Sequence, residues 1–481
     1  MRGTSLTTGV AAALVLICTG PASALAAESD PFGTERLTPP DAARAWEASG
    51  ETRPCQRPAT VSGPLTLLQA IDLALCNNPR TRQTWTAARV QGAQVGVAQA
   101  AYLPTATGGA TAQKFDARNQ FVAGRRDQYG ISASLNYLLF DFGGREAALT
   151  QARESLFAAD WTHNATLQAV VLEASQSFYQ LSAQQDAVLA ARATERAAQA
   201  SLDAARARQR AGSATRADVL QAQTALSQAQ LSRTQAEGDA ASTQGVLANR
   251  LGLPADARFD IVPPGDLDAR KLADEDLARL MATATGRRPE LLAADARIRA
   301  AEANVRVQQS AGLPTVSALA NAAETKLEPG LDQRLTSIGL QLNFPLFTGY
   351  QVTYRVRAAR EQVEQQVAAR DQLRNDVSLD VWNAYQNLRT QGQALAAASD
   401  LVRSAQESYD MALGRYRAGV GTIIDLLNAQ GALERARVQE IQARFQWNVA
   451  KLTLARAIGT IDADLLARAS EAPPAPDRPR Y

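Results

Sequence analysis

The chain has 481 residues, with 50 lysines and arginines against 48 aspartates and glutamates, a formal net charge of +2, and only 5% aromatic side chains. This balance excludes the one-sided basic surface of a nucleic-acid binder, and so few aromatics could not fill several thick globular cores. His163 is the single histidine. With neither paired imidazoles nor a Walker A or G-x-S-x-G motif, no metal, cofactor or enzymatic chemistry is expected.

Residues 1–27 read as a cleaved export signal, with Arg2 ahead of the apolar run Val10 to Ile17 and Ala24-Leu25-Ala26 as an A-x-A site. Cys18 is not read as a lipid attachment point, because Ile17 before it is larger than the small residue such signals favour. No other segment reaches the ~18–20 apolar residues that a spanning helix needs. Residues 28–64 form a Pro-rich leader (Pro54, Pro58, Pro64). Export leaves Cys55 and Cys76 in an oxidising compartment. There a bridge between them is favoured over two free thiols, and it would contribute on the order of 3 kcal/mol.

From residue 65 the chain states one plan twice, about 207–210 residues apart. The first repeat is expected over 65–258, a linker over 259–272 with Pro263-Pro264-Gly265, the second repeat over 273–459, and a disordered Pro-rich tail over 460–481. In the first repeat, Leu68, Ile71 and Leu75 mark an amphipathic helix, and Asn78-Pro79 opens another that Pro104 stops. A β-hairpin follows over 105–140. Tyr129, Ile131, Ala133, Leu135, Tyr137 and Leu139 alternate with mostly small or polar residues, the period of a strand with one apolar and one wet face. The charged residues Asp116, Arg118, Asn119, Arg125, Arg126 and Asp127 suit a solvated loop between the two strands.

A helical hairpin is expected over 144–250. Arg145 to Ala211 contains neither Gly nor Pro, a helix of about 100 Å if continuous. Leu149, Ala152, Leu156, Ala159, Leu167, Val170, Ala174, Phe178 and Leu181 recur at three- and four-residue spacing as a coiled-coil seam, with His163 packed in step. The second repeat follows suit, from Arg288-Pro289 through a hairpin at 315–345 to a helical hairpin at 350–458. It has a charged loop at Lys326 to Arg334 and a seam running from Val352 to Leu388. Gly392 and Gly414 are expected to let its long helix bend.

Each strand is long enough to cross a bilayer at a tilt, which takes ~9–11 residues. Four strands cannot close a barrel, and lipid tolerates no bare strand edge. The strands must therefore join a barrel shared between copies.

The turns between the long helices are the candidate working parts. Gly212 and Gly419 suit left-handed C-caps, and Thr215-x-x-Asp218 and Thr422-x-x-Asp425 suit capping boxes with Asp in place of the usual Glu. If these turns lie at the narrow end of a symmetric tube, each Asp becomes a ring that draws cations and resists tight closure.

These motifs, in order, carry a resemblance to the TolC family of outer-membrane efflux and secretion channels. They are the Asn/Arg-Pro helix starts, Tyr102-Leu103-Pro104 and Gly312-Leu313-Pro314, Phe140-Asp141-Phe142-Gly143 and Phe347-Thr348-Gly349, and the two Arg-Ala-Gly-x(5)-Asp turns. The resemblance implies a mainly α fold with a β-barrel portion: four transmembrane strands per chain in a 12-stranded homotrimeric barrel, continuing into a long coiled-coil α-helical periplasmic barrel. It also implies an outer-membrane location, docking to a periplasmic adaptor, and an inner-membrane ABC exporter or other pump.

Position by position, the resemblance makes Asp218 and Asp425 constriction residues and Tyr416 part of a closing network. Asn428 stands where a second acid can occur, and Gly421 where a closing arginine can. Arg210, Gly212, Arg417 and Gly419 match the adaptor-facing surface. The Cys55/Cys76 leader resembles members that serve toxin exporters, which favours type I protein secretion. Multidrug efflux is the alternative cargo reading. A periplasmic adaptor or a lumenless scaffold is the rival from another class.

Overall fold

The computed structural model describes residues 30–39, 63–118, 123–264, 276–328 and 332–461. The expected export signal, Cys18, Cys55, the linker core and the Pro-rich tail lie outside the described residues. The repeat is explicit in the element order: α1 Leu67–Asn77, α2 Pro79–Ala100, β1 Thr105–Arg118, β2 Ala123–Phe140, α3 Gly144–Arg210 and α4 Arg216–Arg250. It recurs as α5 Leu277–Arg287, α6 Pro289–Ser310, β3 Thr315–Glu328, β4 Asp332–Asn343, α7 Gln351–Arg417 and α8 Ile423–Ala457. No described helix is long and apolar enough to cross a membrane.

Local chemistry sets the boundaries. Thr66 and Gln69 exchange hydrogen bonds in a capping box that starts α1. Pro79 and Pro289 occupy the first helical position, where a missing N–H costs nothing. The long helices α3 and α7 each run 67 residues, and α7 continues through both Gly392 and Gly414. Trp447 of α8 lies against Gly392, whose Cβ would sit 2.9 Å from the indole. The glycine there makes room for a ring, and the helix does not break.

The chain divides into two compact units. One holds Ala87–Ala159 and Ala294–Ala369, and with them the whole sheet. Its strand order is β1-β2-β3-β4, all antiparallel, so the β2–β3 pairing stitches one repeat to the other while β1 and β4 remain open edges. The register aligns chemistry across strands. Leu135, Ala320 and Ile338 share one row, as do Tyr137, Ala318 and Leu340. The alternate rows join Asn136, Leu319 and Gly339, and Ser134, Asn321 and Ser337. On that polar face Thr107 and Ser134 share a 2.6 Å hydrogen bond.

The expected charged loops are corrected here. Asp116 and Arg118 belong to β1, Arg125, Arg126 and Asp127 belong to β2, and Lys326–Glu328 and Asp332–Arg334 extend β3 and β4. The reason is cross-strand complementarity: Lys114 pairs with Asp127 at 3.5 Å and Arg334 with Glu324 at 2.9 Å, so opposite charges stabilise the ladder beyond the apolar section.

The second unit holds Pro39–Thr86, Asp160–Ala293 and Arg370 onward. Two clusters repeat the α1/α5 theme. Ile71 and Leu75 pack with Leu167, Val170, Phe178 and Leu181 of α3 and Leu452 of α8. Leu280 and Ala284 pack with Val377, Val381 and Leu388 of α7 and Leu454 of α8. His163 is buried at 1% exposure, with Nδ1 2.8 Å from the Thr84 hydroxyl. Cys76 is disulfide-bonded.

Candidate functional site

The two turns are built alike, from local rules. α3 ends on Gly212 at φ 75° and α7 on Gly419 at φ 82°, a region that only glycine enters without penalty. In each, the backbone closes a Schellman motif: Ser213 N–H donates to Arg208 O and Gly212 N–H to Gln209 O, and Val420 N–H donates to Arg415 O and Gly419 N–H to Tyr416 O. The return helices then open on capping boxes. Asp218 N–H donates to Thr215 Oγ1 while Thr215 N–H donates to Asp218 Oδ2 at 2.8 Å. In the second turn, Thr422 donates to Asp425 Oδ2 through its hydroxyl at 2.8 Å and more weakly through its N–H at 3.4 Å.

These hydrogen bonds from Thr422, side chain first and backbone second, hold the Asp425 carboxyl below its ordinary range. Asp425 is exposed and Asp218 half-buried. Capping thus engages both carboxylates through hydrogen bonds. Asn428, one turn past Asp425, is exposed, as are Arg210, Gly212, Arg417 and Gly419. Arg210 and Arg417 also sit in the last turns of α3 and α7, where cations suit the helix dipole without any partner.

Tyr416 is the buried member, 2% exposed, packed with Leu202, Ala205, Leu226, Ile423 and Leu426. This cluster joins the tips of the two helical hairpins. Burial raises the Tyr416 phenol pKa, Arg208 pulls it back, and the Asp218 charge adds to the rise.

Arg208 is the residue that sequence reasoning missed. Its guanidinium lies 4.7 Å from the Tyr416 ring centroid and donates to Tyr416 O at 2.9 Å and to Ser213 O at 3.4 Å. A cation of one hairpin thus caps a C-terminal carbonyl of the other, Tyr416 O, while also bonding Ser213 O of its own turn. Arg206, Arg208 and Arg210 alternate along the same turn, and nothing local marks which one reaches a partner 208 positions away.

Gly421 packs closely: a Cβ there would lie 3.1 Å from Arg415 Cβ and from Tyr416 N, so a side chain would require the turn to shift by a few tenths of an ångström.

A profile of the family described as "Outer membrane efflux protein" matches residues 70–253 and 280–460. The chain belongs to this family. It is similar to Protein CyaE of Bordetella pertussis, 32% identical over 441 residues, which cover 89% of this chain and 92% of that protein. Outer membrane efflux protein BepC of Brucella suis is 28% identical, covering 83% of this chain and 87% of BepC. Among solved structures, CusC superposes with a TM-score of 0.71 at 17% identity over 86% of this chain and 99% of its own. VceC of Vibrio cholerae superposes at 0.70 and 18% identity, covering 82% and 96%. The mainly α fold with a β-barrel portion is therefore that of these channels, and the protein is an outer-membrane export channel reaching into the periplasm.

Proposed function

We propose that three copies of this protein form the exit duct of a tripartite export system, and that the cargo is a protein toxin. A periplasmic adaptor and an inner-membrane ABC exporter would deliver it. The observation that carries the shared duct is the open sheet: β1 and β4 each leave an unpaired edge, and each unpaired backbone group in lipid costs several kcal/mol. Three copies would contribute 12 strands, enough to enclose water. The toxin cargo rests on the likeness to Protein CyaE, which extends over nearly all of both chains. BepC, named an outer membrane efflux protein, favours the second reading, a duct for small molecules.

In this duct Asp218 and Asp425 form acidic rings at the narrow tip, with Asn428 beside them and Tyr416 holding the hairpins together. Carboxylates ~6 Å apart would repel by roughly 1–3 kcal/mol per pair. Closure then depends on clasps such as Arg208. Arg210, Gly212, Arg417 and Gly419 form the adaptor-facing surface, and Cys55 is the partner of Cys76. A water-filled tube supplies no coupling, so direction comes from the energised partner.

The test combines heat-modified gel migration, planar-bilayer conductance and a gene deletion. A trimer with discrete conductance is expected, together with loss of a secreted protein from the medium. A monomer without conductance refutes the duct. Intact secretion with new drug sensitivity refutes the toxin cargo alone.

A further inference from the structure

The stretch joining β4 to α7 carries exposed chemistry that neither packing nor helix stability explains. Along β4, Ile338, Leu340 and Leu342 are 71%, 75% and 68% exposed, and Phe344, Leu346 and Phe347 continue the apolar surface past the strand end. Phe347 stacks edge-on against Tyr350 at 5.5 Å, and Tyr350 and Tyr354, one helical turn apart, are both about two-thirds exposed. Tyr350 has φ 63°, a strained backbone for a side chain with a Cβ. Three exposed arginines follow within the first ten residues of α7: Arg355, Arg357 and Arg360.

The first turn of α7 supplies no acid to these arginines. None of the three arginines has a hydrogen-bond or ion-pair partner among the described residues. Glu361 and Glu364 lie four positions beyond Arg357 and Arg360, exposed and unjoined to them, in the less favourable order for such pairs.

The first repeat is different. With α3 starting at Gly144 and α7 at Gln351, its equivalent positions are Ala148, Thr150 and Arg153, one cation in place of three. Arg145, nearer the helix start, is committed to Asp141 at 3.4 Å, to Leu138 O and Leu139 O, and to the Tyr102 ring. The cation cluster is thus peculiar to one repeat.

From strand to helix the exposed order is apolar, aromatic, cationic, which is the order of acyl chain, interface and phosphate across one membrane leaflet. We propose that Tyr350, Tyr354, Arg357 and Arg360 form a binding site for the phosphate headgroup of an anionic glycerophospholipid in the periplasmic leaflet of the outer membrane. The proposal rests on the sheet being the lipid-crossing element, since it continues that interface. Tyr354 and Arg357 lie on the exposed side of α7, opposite buried Ala359, with Arg360 about 60° around from Arg357, whereas Arg355, two residues before Arg357, projects from the other side of the helix. Guanidinium forks match phosphate oxygens bidentately, and tyrosines settle at the headgroup level.

The test uses the full-length protein extracted from membranes, delipidated in detergent and titrated with phosphatidylglycerol or phosphatidylethanolamine under native mass spectrometry. Wild type should prefer phosphatidylglycerol. The R357Q/R360Q variant should lose roughly 25-fold in that affinity, about fivefold per arginine, with unchanged oligomer migration. Equal phosphatidylglycerol affinity in the two proteins overturns the site. So does loss of the oligomer in lipid-free detergent, which would assign the arginines to a contact between copies. If wild type retains neither lipid, the lipid-crossing reading of the sheet fails, and the site with it.

Discussion

Replacing Arg208 by alanine should loosen the tip of the second hairpin while leaving the body of the helices intact. The substitution removes the 2.9 Å charge-assisted bond to Tyr416 O and the guanidinium 4.7 Å from the Tyr416 ring. A hydrogen bond from a charged group contributes about 1.5–3 kcal/mol, and a partly exposed cation–π contact about 0.5–1 kcal/mol. The two share one side chain and Arg208 is itself half-buried, so about 2 kcal/mol is the defensible sum, or roughly thirtyfold in the local opening equilibrium. Hydrogen exchange at Gly419, Val420 and Gly421 reads this directly, because their N–H groups close the turn that Arg208 caps at Tyr416 O. Exchange should accelerate about thirtyfold there and stay unchanged in α1, and bilayer recordings should show longer open times. Lysine at 208 keeps the charge but not the fork and should recover part of the effect. Unchanged exchange in R208A, with the fold intact, would refute the assignment of Arg208 as the clasp between hairpins.

Asp218→Asn with Asp425→Asn should lower cation selectivity and weaken block by multivalent cations, read as reversal potentials in salt gradients; unaltered selectivity removes the acidic rings. Since Thr422 lowers the Asp425 pKa, the contribution of this cap is complete above the ordinary carboxylate value of 3.8 and fades only as pH falls through the lower folded value. Thr422→Ala should therefore move that fade to higher pH in a chemical-shift titration of Asp425. Asp160 behaves oppositely: burial pushes its pKa to about 6, and Oδ1 has no hydrogen-bond partner. Its charged form costs stability, fully above pH ~6 and less as pH falls toward 3.8. Asp160→Asn should thus raise Tm more at pH 7.5 than at pH 4.5, and an equal rise at both would contradict the burial argument. Reducing the Cys76 disulfide should expose the leader to protease, and identical digestion patterns with and without reductant would count against a Cys55 bridge.

Much of the working tip was legible in sequence because its rules are short-ranged. A glycine two residues past a last-turn arginine implies a left-handed cap, and a threonine three residues before an aspartate implies a capping box. Both turns obey, down to the φ values at Gly212 and Gly419. The charged hairpin ends misled for the complementary reason. Asp127 and Arg334 read as loop residues in isolation and become strand residues once Lys114 and Glu324 stand opposite them. A pairing partner is a property of register, which composition does not carry.

The sequence alone determined the duplication, the two 67-residue helices, the alternation along the strands, and the supply of only four strands per chain. Each follows from periodicity or strand count, which involve only neighbours in the chain. Tertiary structure decided which arginine of three clasps Tyr416, and that β2 pairs with β3 across the repeats. It also decided that Asp160 is desolvated while Asp425 is not. These outcomes depend on groups brought together over long stretches of chain, where distance and burial set the energies.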